Sequence, residues 1–378
     1  MRKEPFLYLI SFLLDASFGA AALCIPLLAM RLGGTYDDLG AVGAVGAFFY
    51  CVGAILLGRL SDRIGYRRSL IAASLISALC VYSYPASTRV IHLICLVGLA
   101  RFALSGFWPP MQAWLGRGKD RRALLRTLGG FSVCWSLGVM VGPEIGGRLY
   151  AIDEASPFSY AAAVVGLIFV LLLVVPVRED SETESRSGTA ARQPAGPFLR
   201  IAWTANFATF FATGAVRSLF PKLASDLGVL PSPLGRLMAL IGVAQLAAFF
   251  AISRTERWQF RLPPLVIAQC LGIVGLMLLA TGSSSQVFMV SMLTQGILAG
   301  VTFTSSLFYS LCAGGPGGRR AGPHEAVLSS GYLLGPILGG LSAEHLGPRA
   351  PYVLAAGVIL AAIAIETWML RRTGGIRA

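Results

Sequence analysis

Long apolar runs separated by short polar breaks cover nearly the whole chain. They fall at about 6–30, 39–57, 69–86, 90–113, 127–147 and 160–177, then at about 199–221, 233–252, 264–282, 287–312, 326–345 and 351–370. At about 1.5 Å of rise per residue, runs of this length cross a hydrocarbon layer of about 30 Å as helices. The runs are continuous and do not alternate in polarity, so a closed membrane barrel does not fit them. The pattern predicts an all-α membrane protein with twelve transmembrane helices. A polar stretch, Arg178 to Pro197, separates the first six from the last six and reads as a flexible linker. The expected divisions are 1–178, a linker at 179–198, and 199–378. Met1-Arg2-Lys3 followed by apolar residues resembles a leader, but the run continues past Asp15 to Met30, too long for a cleaved segment. It is expected to be the first membrane helix.

The two sets of six repeat. Gly138 to Gly147 in the fifth run and Gly331 to Gly340 in the eleventh both read G-x-x-x-G-P-x-x-G-G, at an offset of 193. Pro26 to Gly33 matches Pro221 to Gly228 at an offset of 195. Two matches at nearly one offset indicate duplicated six-helix halves. An even number of helices per half makes the repeats parallel, about an axis along the membrane normal. The architecture expected is two six-helix pseudo-symmetric bundles.

Composition agrees. Of 378 residues, 55% are hydrophobic and 13% charged, against about 25% charged in soluble domains. The net charge is +13. In a soluble domain that excess would point to nucleic acid; a mean hydropathy of +0.70 argues against it, and no nucleic-acid partner is expected. With the first residue on the cytoplasmic side, 23 of the 31 basic residues fall on that side and six on the other. That bias predicts both termini in the cytoplasm of an inner (plasma) membrane protein. Two basic residues, Arg101 and Arg217, fall inside helices. The seven cysteines lie in apolar segments without CxxC spacing and read as small buried hydrophobes; the three histidines are scattered. No metal and no cofactor are expected. The glycines of 314–318 are not followed by G-K-[ST], so they are a turn and not a phosphate loop.

Between the second and third runs stands Gly58-Arg59-Leu60-Ser61-Asp62-Arg63-Ile64-Gly65-Tyr66-Arg67-Arg68. It resembles the G-x-L-x-D-R-x-G-x-R/K-R/K signature of the major facilitator superfamily, in the loop where that superfamily carries it. The glycine run of the fifth segment is similar to the signature of proton-coupled antiporters. Leu14-Asp15 to Gly19 with Ile25-Pro26 resembles the tetracycline-efflux branch. In the fourth segment Arg101 stands where the family has its arginine, but Gly106 follows at +5 instead of +4. The second-half copy of the loop signature is reduced to Arg254-Thr255-Glu256-Arg257-Trp258.

The resemblance implies that Asp62 closes a cytoplasmic gate against the start of the eleventh helix, near Pro323-His324-Glu325. Gly58 and Gly65 permit close approach and turning, and Arg63, Arg67 and Arg68 are placed to meet acids or anionic lipid. Gly138, Gly142 and Gly146 share one helix face, and Pro143 removes a backbone donor, so this run packs closely and can bend; Gly335 and Pro336 repeat it. Intramembrane charges are functional candidates. Asp15 lies about 14 Å and Arg101 about 19 Å from the cytoplasmic helix ends, so they can pair, either as a coupling site or as a static bridge. Glu144 and Arg217 lie towards the outer side and are a second candidate pair; Glu144 can equally pair with Arg148 at i+4. Glu366, close to Arg371 and Arg372, reads as an interfacial residue, and Glu344 sits at an outer helix end.

Aromatic residues recur in the helices, among them Phe48, Phe49, Trp108, Trp135, Phe210, Phe249 and Phe303. A cavity walled by them would suit hydrophobic or weakly cationic compounds. The expected function is secondary active transport, not an enzyme activity: a monomer in the lipid bilayer exporting a small-molecule substrate against a proton or another coupling ion. The alternatives are proton-coupled uptake of a sugar, organic acid or siderophore, and a non-transporting receptor or scaffold.

Overall fold

The computed structural model describes residues 3–116, 121–176, 196–312 and 317–372. Among these the secondary structure is helical, with no strand: α1 (Lys3–Arg31), α2 (Tyr36–Ile64), α3 (Tyr66–Ser83), α4 (Val90–Ser105), α5 (Trp108–Gly116), α6 (Arg121–Ile152), α7 (Ser156–Val174), α8 (Gly196–Asp226), α9 (Pro231–Ser253), α10 (Pro263–Thr281), α11 (Ser285–Cys312), α12 (Gly317–Leu346) and α13 (Ala350–Arg372). The expected linker and the turn at 314–318 lie largely outside the described residues.

Thirteen helices make twelve spans because the fourth run is broken. Pro109 and Pro110 supply no backbone donor, so the helix stops at Ser105 and restarts at Trp108. The Ser69 hydroxyl donates to the freed Gly106 carbonyl at 2.7 Å. Among the described residues, ten spans are long and apolar enough to cross a membrane on those grounds alone. The other two, α6 and α8, are longer, at 32 and 31 residues. They carry the charged residues Glu144 and Arg148, and Arg217, Lys222 and Asp226. Large apolar side chains such as Leu79 on α3, Ile267 on α10 and Leu360 on α13 are about 60% exposed, surfaces that hydrocarbon and not water covers.

The repeat is visible in the backbone. Gly33 ends α1 at φ +82° and Gly228 ends α8 at φ +80°. Each donates its amide three residues back, to Met30 and Ser225, at 2.9 Å. Left-handed backbone at a helix end is where glycine is least strained.

The chain packs as two compact units. One comprises 1–33, 45–190 and 230–239; the other comprises 34–44, 191–229 and 240–378. The first turns of α2 therefore belong with α8 and α10–α13, and the first turns of α9 belong with α1 and α3–α7. In the first unit α1 runs through the core. Phe6, Leu7, Ile10 and Leu14 pack with Leu70 of α3, Met111 of α5, Phe131 of α6 and Val165 of α7. In the second unit α8 has the corresponding place, with Ile201 and Ala205 against Leu265 of α10 and Phe220 edge-on to Phe288 of α11.

Two expectations are corrected here. Glu366 does not reach an interface: it is fully buried on α13 and accepts a hydrogen bond from Gln269 Nε2 of α10 at 2.7 Å. Nearness to Arg371 and Arg372 along the chain did not decide which helix face it occupies. The cysteines are not uniformly buried, since Cys95 and Cys270 are exposed.

Candidate functional site

The loop between α2 and α3 begins the site. Gly65 takes φ +93° and reverses the chain between two helices in one residue, which a side chain would strain. Gly58 has no atom within 4 Å of where a Cβ would sit. Asp62, Arg63 and Arg68 are exposed, and the Tyr66 hydroxyl lies 3.4 Å from Asp62 Oδ1. Arg67 has a task of its own. Its Nε donates to the Leu172 carbonyl at 2.8 Å, and Nη2 donates to Leu173 and Val175 at 3.3 and 2.9 Å. The guanidinium thus caps the last carbonyls of α7, where a cation also meets the negative helix end.

The glycine run of α6 lies on α1. A Cβ at Gly138 would come within 2.6 Å of Asp15 Cβ, and one at Gly142 within 2.8 Å of Gly19 Cα. Gly146 faces Ala20, and Pro143 lies against Gly19. The backbones of α1 and α6 therefore touch along about two helical turns, and Asp15 is held in that seam. Arg101 lies along Gly46 of α2, which a Cβ would bring within 3.3 Å of Arg101 Cγ. Glu144 is held by Arg148, whose Nε donates to Glu144 Oε1 at 2.6 Å. Arg217, in the other unit, is half-buried, and its Nε has no hydrogen-bond partner among the described residues.

The second copy of the run has the same packing. Gly331 and Gly335 lie on Phe207 and Phe211 of α8, and Pro336 meets Gly214 of α8. The last glycine of each copy turns away to another helix. Gly147 meets Gly235 in the first turns of α9, where a Cβ at Gly147 would be 3.0 Å from Gly235 Cα. Gly340 meets Gly40 in the first turns of α2, 3.2 Å from a Cβ on Gly40 by the same measure. Gly40 and Gly235 were not singled out by the sequence. Each is one glycine in an apolar run, although their offset of 195 equals that of the Pro26 and Pro221 segments.

Around the Gly40 contact the second unit gathers polar groups. The Tyr36 hydroxyl donates to Asp226 Oδ2 at 3.1 Å, and the Tyr36 amide donates to Glu344 Oε2 at 3.2 Å. Lys222 sits over the Tyr36 ring, 5.1 Å from its centre, and pairs with Asp226 at 3.5 Å. Glu344, expected only at a helix end, therefore caps the start of α2. Deeper in the same unit, Phe303 of α11 is ringed by Phe210 of α8, Phe249 of α9 and His324 of α12, at 6.3, 6.1 and 5.0 Å between centres. Trp108 and Phe131 pair within the first unit, whereas Phe48 and Phe49 are exposed. Among the described residues no cluster of side chains has metal-binding composition.

Comparison with known proteins gives this geometry its context. The chain is 25% identical to the class G tetracycline resistance protein of Vibrio anguillarum, over 93% of this chain and 81% of that one. It is 24% identical to the multidrug resistance protein MdtG of Proteus mirabilis, over 96% and 94%. It is 23% identical to the quinolone resistance protein NorA of Staphylococcus aureus, over 97% and 96%. Its fold superimposes on a bacterial homologue of the human lysosomal transporter Spinster with a TM-score of 0.76, covering 98% of this chain and 96% of that chain at 14% identity. It superimposes on the nucleoside transporter NupG with a TM-score of 0.71, over 98% and 99%, also at 14% identity. The Major Facilitator Superfamily profile matches residues 7–322, and the chain belongs to that superfamily of membrane transporters.

Proposed function

We propose that this transporter exports small hydrophobic or weakly cationic compounds in exchange for protons. The observation that carries the reading is the seam between α1 and α6, where an intramembrane carboxylate, Asp15, is packed against a glycine face. A charge there is costly unless it has a task, and a proton taken up by Asp15 would change the electrostatics of the seam. The names of the full-length relatives, resistance proteins for tetracycline, quinolones and multiple drugs, support efflux. The aromatic ring around Phe303 supplies faces suited to apolar rings and cations. Glu144 is the second proton-binding candidate, held by Arg148. Arg101 and Arg217 are the cations that respond to protonation or to substrate. The loop from Gly58 to Arg68 gates one side. The monomer works by rocking halves 1–178 and 199–378, joined by the linker 179–198, with both termini in the cytoplasm.

Two measurements test this. Cells lacking their own exporters should accumulate less of a transported compound when the chain is present. In proteoliposomes with an imposed pH gradient, Asp15→Asn should lose gradient-driven transport while keeping downhill exchange. Full gradient-driven transport by both Asp15→Asn and Glu144→Gln would overturn the proton assignment.

A further inference from the structure

A small cavity opens in the second unit where the start of α8, the end of α11 and the loop between α9 and α10 meet. Its walls are Phe198 and Ile201 of α8, Leu265 of α10, Tyr309 of α11, and Trp258 and Arg261 of the loop. The loop is held firmly in this shape. Phe260, although not glycine, takes φ +55°, and its amide donates to the Tyr309 hydroxyl at 2.7 Å. The Trp258 ring lies edge-on to Phe308 and Tyr309 at 5.1 and 6.2 Å, and its indole N–H donates to the Ile252 carbonyl at 3.2 Å. A non-glycine residue in left-handed backbone persists only where its surroundings dictate it, and such residues gather at binding sites.

The cavity volume is about 70 Å³, against roughly 300–1,000 Å³ for pockets that enclose drug-sized molecules. It is too small for the transported compound. A narrow, unbranched hydrocarbon chain fits an apolar slot of this size where fused rings do not. The charges are complementary to one kind of chain. Arg254, Arg257 and Arg261 are exposed on this one loop, opposed by Glu256 alone, and among the described residues none of the three has an ion-pair partner. Basic pockets at the ends of membrane helices hold phosphate head groups.

We infer that this cavity is a binding site for an anionic phospholipid, with the part of one acyl chain nearest the head group between Trp258, Tyr309 and Leu265 and the head-group phosphate on Arg261 and Arg257. The loop is the reduced second copy of the signature that runs from Gly58 to Arg68. It has lost the glycines of that signature and gained aromatic residues that make a slot. The site is built wholly from the second unit, whereas Asp15 and the α1–α6 seam belong to the first, and it does not depend on what is transported or in which direction.

Trp258 reports occupancy directly. The full-length protein is reconstituted in phosphatidylcholine vesicles containing a small fraction of phosphatidylglycerol with brominated acyl chains. Bromine quenches only the indole it touches, and subtracting the signal of Trp258→Phe isolates Trp258. Brominated phosphatidylglycerol should quench Trp258 at severalfold lower mole fraction than brominated phosphatidylcholine. Arg261→Gln and Arg257→Gln should each raise the required fraction about fivefold, as expected for about 1 kcal/mol per arginine at an anionic surface. Arg261→Lys should largely preserve it, which separates lost charge from lost folding. Equal quenching by the two lipids, or indifference to both Gln variants, would overturn the inference in favour of ordinary boundary lipid. Displacement by inorganic phosphate at millimolar concentration would overturn it in favour of a soluble anion.

Discussion

Gly58 and Gly65 belong to one loop signature, yet a methyl group at Gly58 meets nothing within 4 Å, while Gly65 holds φ +93° between two helices. Their substitutions should separate. Gly58→Ala removes backbone entropy from the end of α2 and should stabilise the protein by up to about 1 kcal/mol. Gly65→Ala forces a Cβ into left-handed backbone and should cost about 1–2 kcal/mol. Thermal unfolding in one detergent, read on both variants, checks the contrast; a transport defect in a stable Gly58→Ala protein would place that glycine's role in another conformation. The motif itself was plain in the sequence, but the division of labour inside it was not. The hydrogen bonds of Arg67 go to α7 carbonyls about a hundred residues away, and no local pattern encodes such a partner. Glu366 teaches the same lesson: its distance from the helix end could be counted, but which face meets Gln269 depends on packing.

At the scale of elements, the duplicated glycine run was fully legible, because glycines at i, i+4 and i+8 share a helix face. What lay opposite was only partly legible. Gly40 and Gly235 gained meaning once α2 met α12 and α9 met α6. A Cβ at Gly147 would stand 2.5 Å from the Pro231 carbonyl oxygen, one at Gly40 2.6 Å from that of Pro336, and one at Gly340 2.8 Å from that of Tyr36. Such crowding costs about 1–3 kcal/mol, which shifts a two-state equilibrium by roughly tenfold or more. Alanine at Gly40, Gly147, Gly235 or Gly340 should therefore slow transport about tenfold, with intact expression. Alanine at Gly166 or Gly357, which have no neighbour within 4 Å of a Cβ, should leave it unchanged. Initial rates in proteoliposomes decide between these outcomes. The break between α4 and α5 escaped the hydropathy pattern for a simple reason: Pro109 and Pro110 are apolar, so they lengthen an apolar run while ending a helix.

For the whole molecule, hydropathy and charge gave twelve spans and an expected topology, since both depend on composition and not on contacts. Two consequences are open to measurement. A phosphatase that is active only outside the cytoplasm should be silent when fused to the last residue, and a fluorescent protein there should be bright. Residues 1–178 and 199–378, produced as separate chains in one cell, should reassemble and restore transport, because each half would contribute its own six spans. The twin glycine contacts also make the molecule unequal in one respect. The contact of Gly147 with Gly235 is between backbones, and the ion pair beside it, Glu144 with Arg148, lies within α6, so screening that pair takes no charge contact from the seam with α9. Its counterpart at Gly40 is ringed by Tyr36, Lys222, Asp226 and Glu344. Ionic strength therefore acts on the contact between helices at one of two otherwise matching corners, and a symmetric duplication has acquired a one-sided sensitivity to its surroundings.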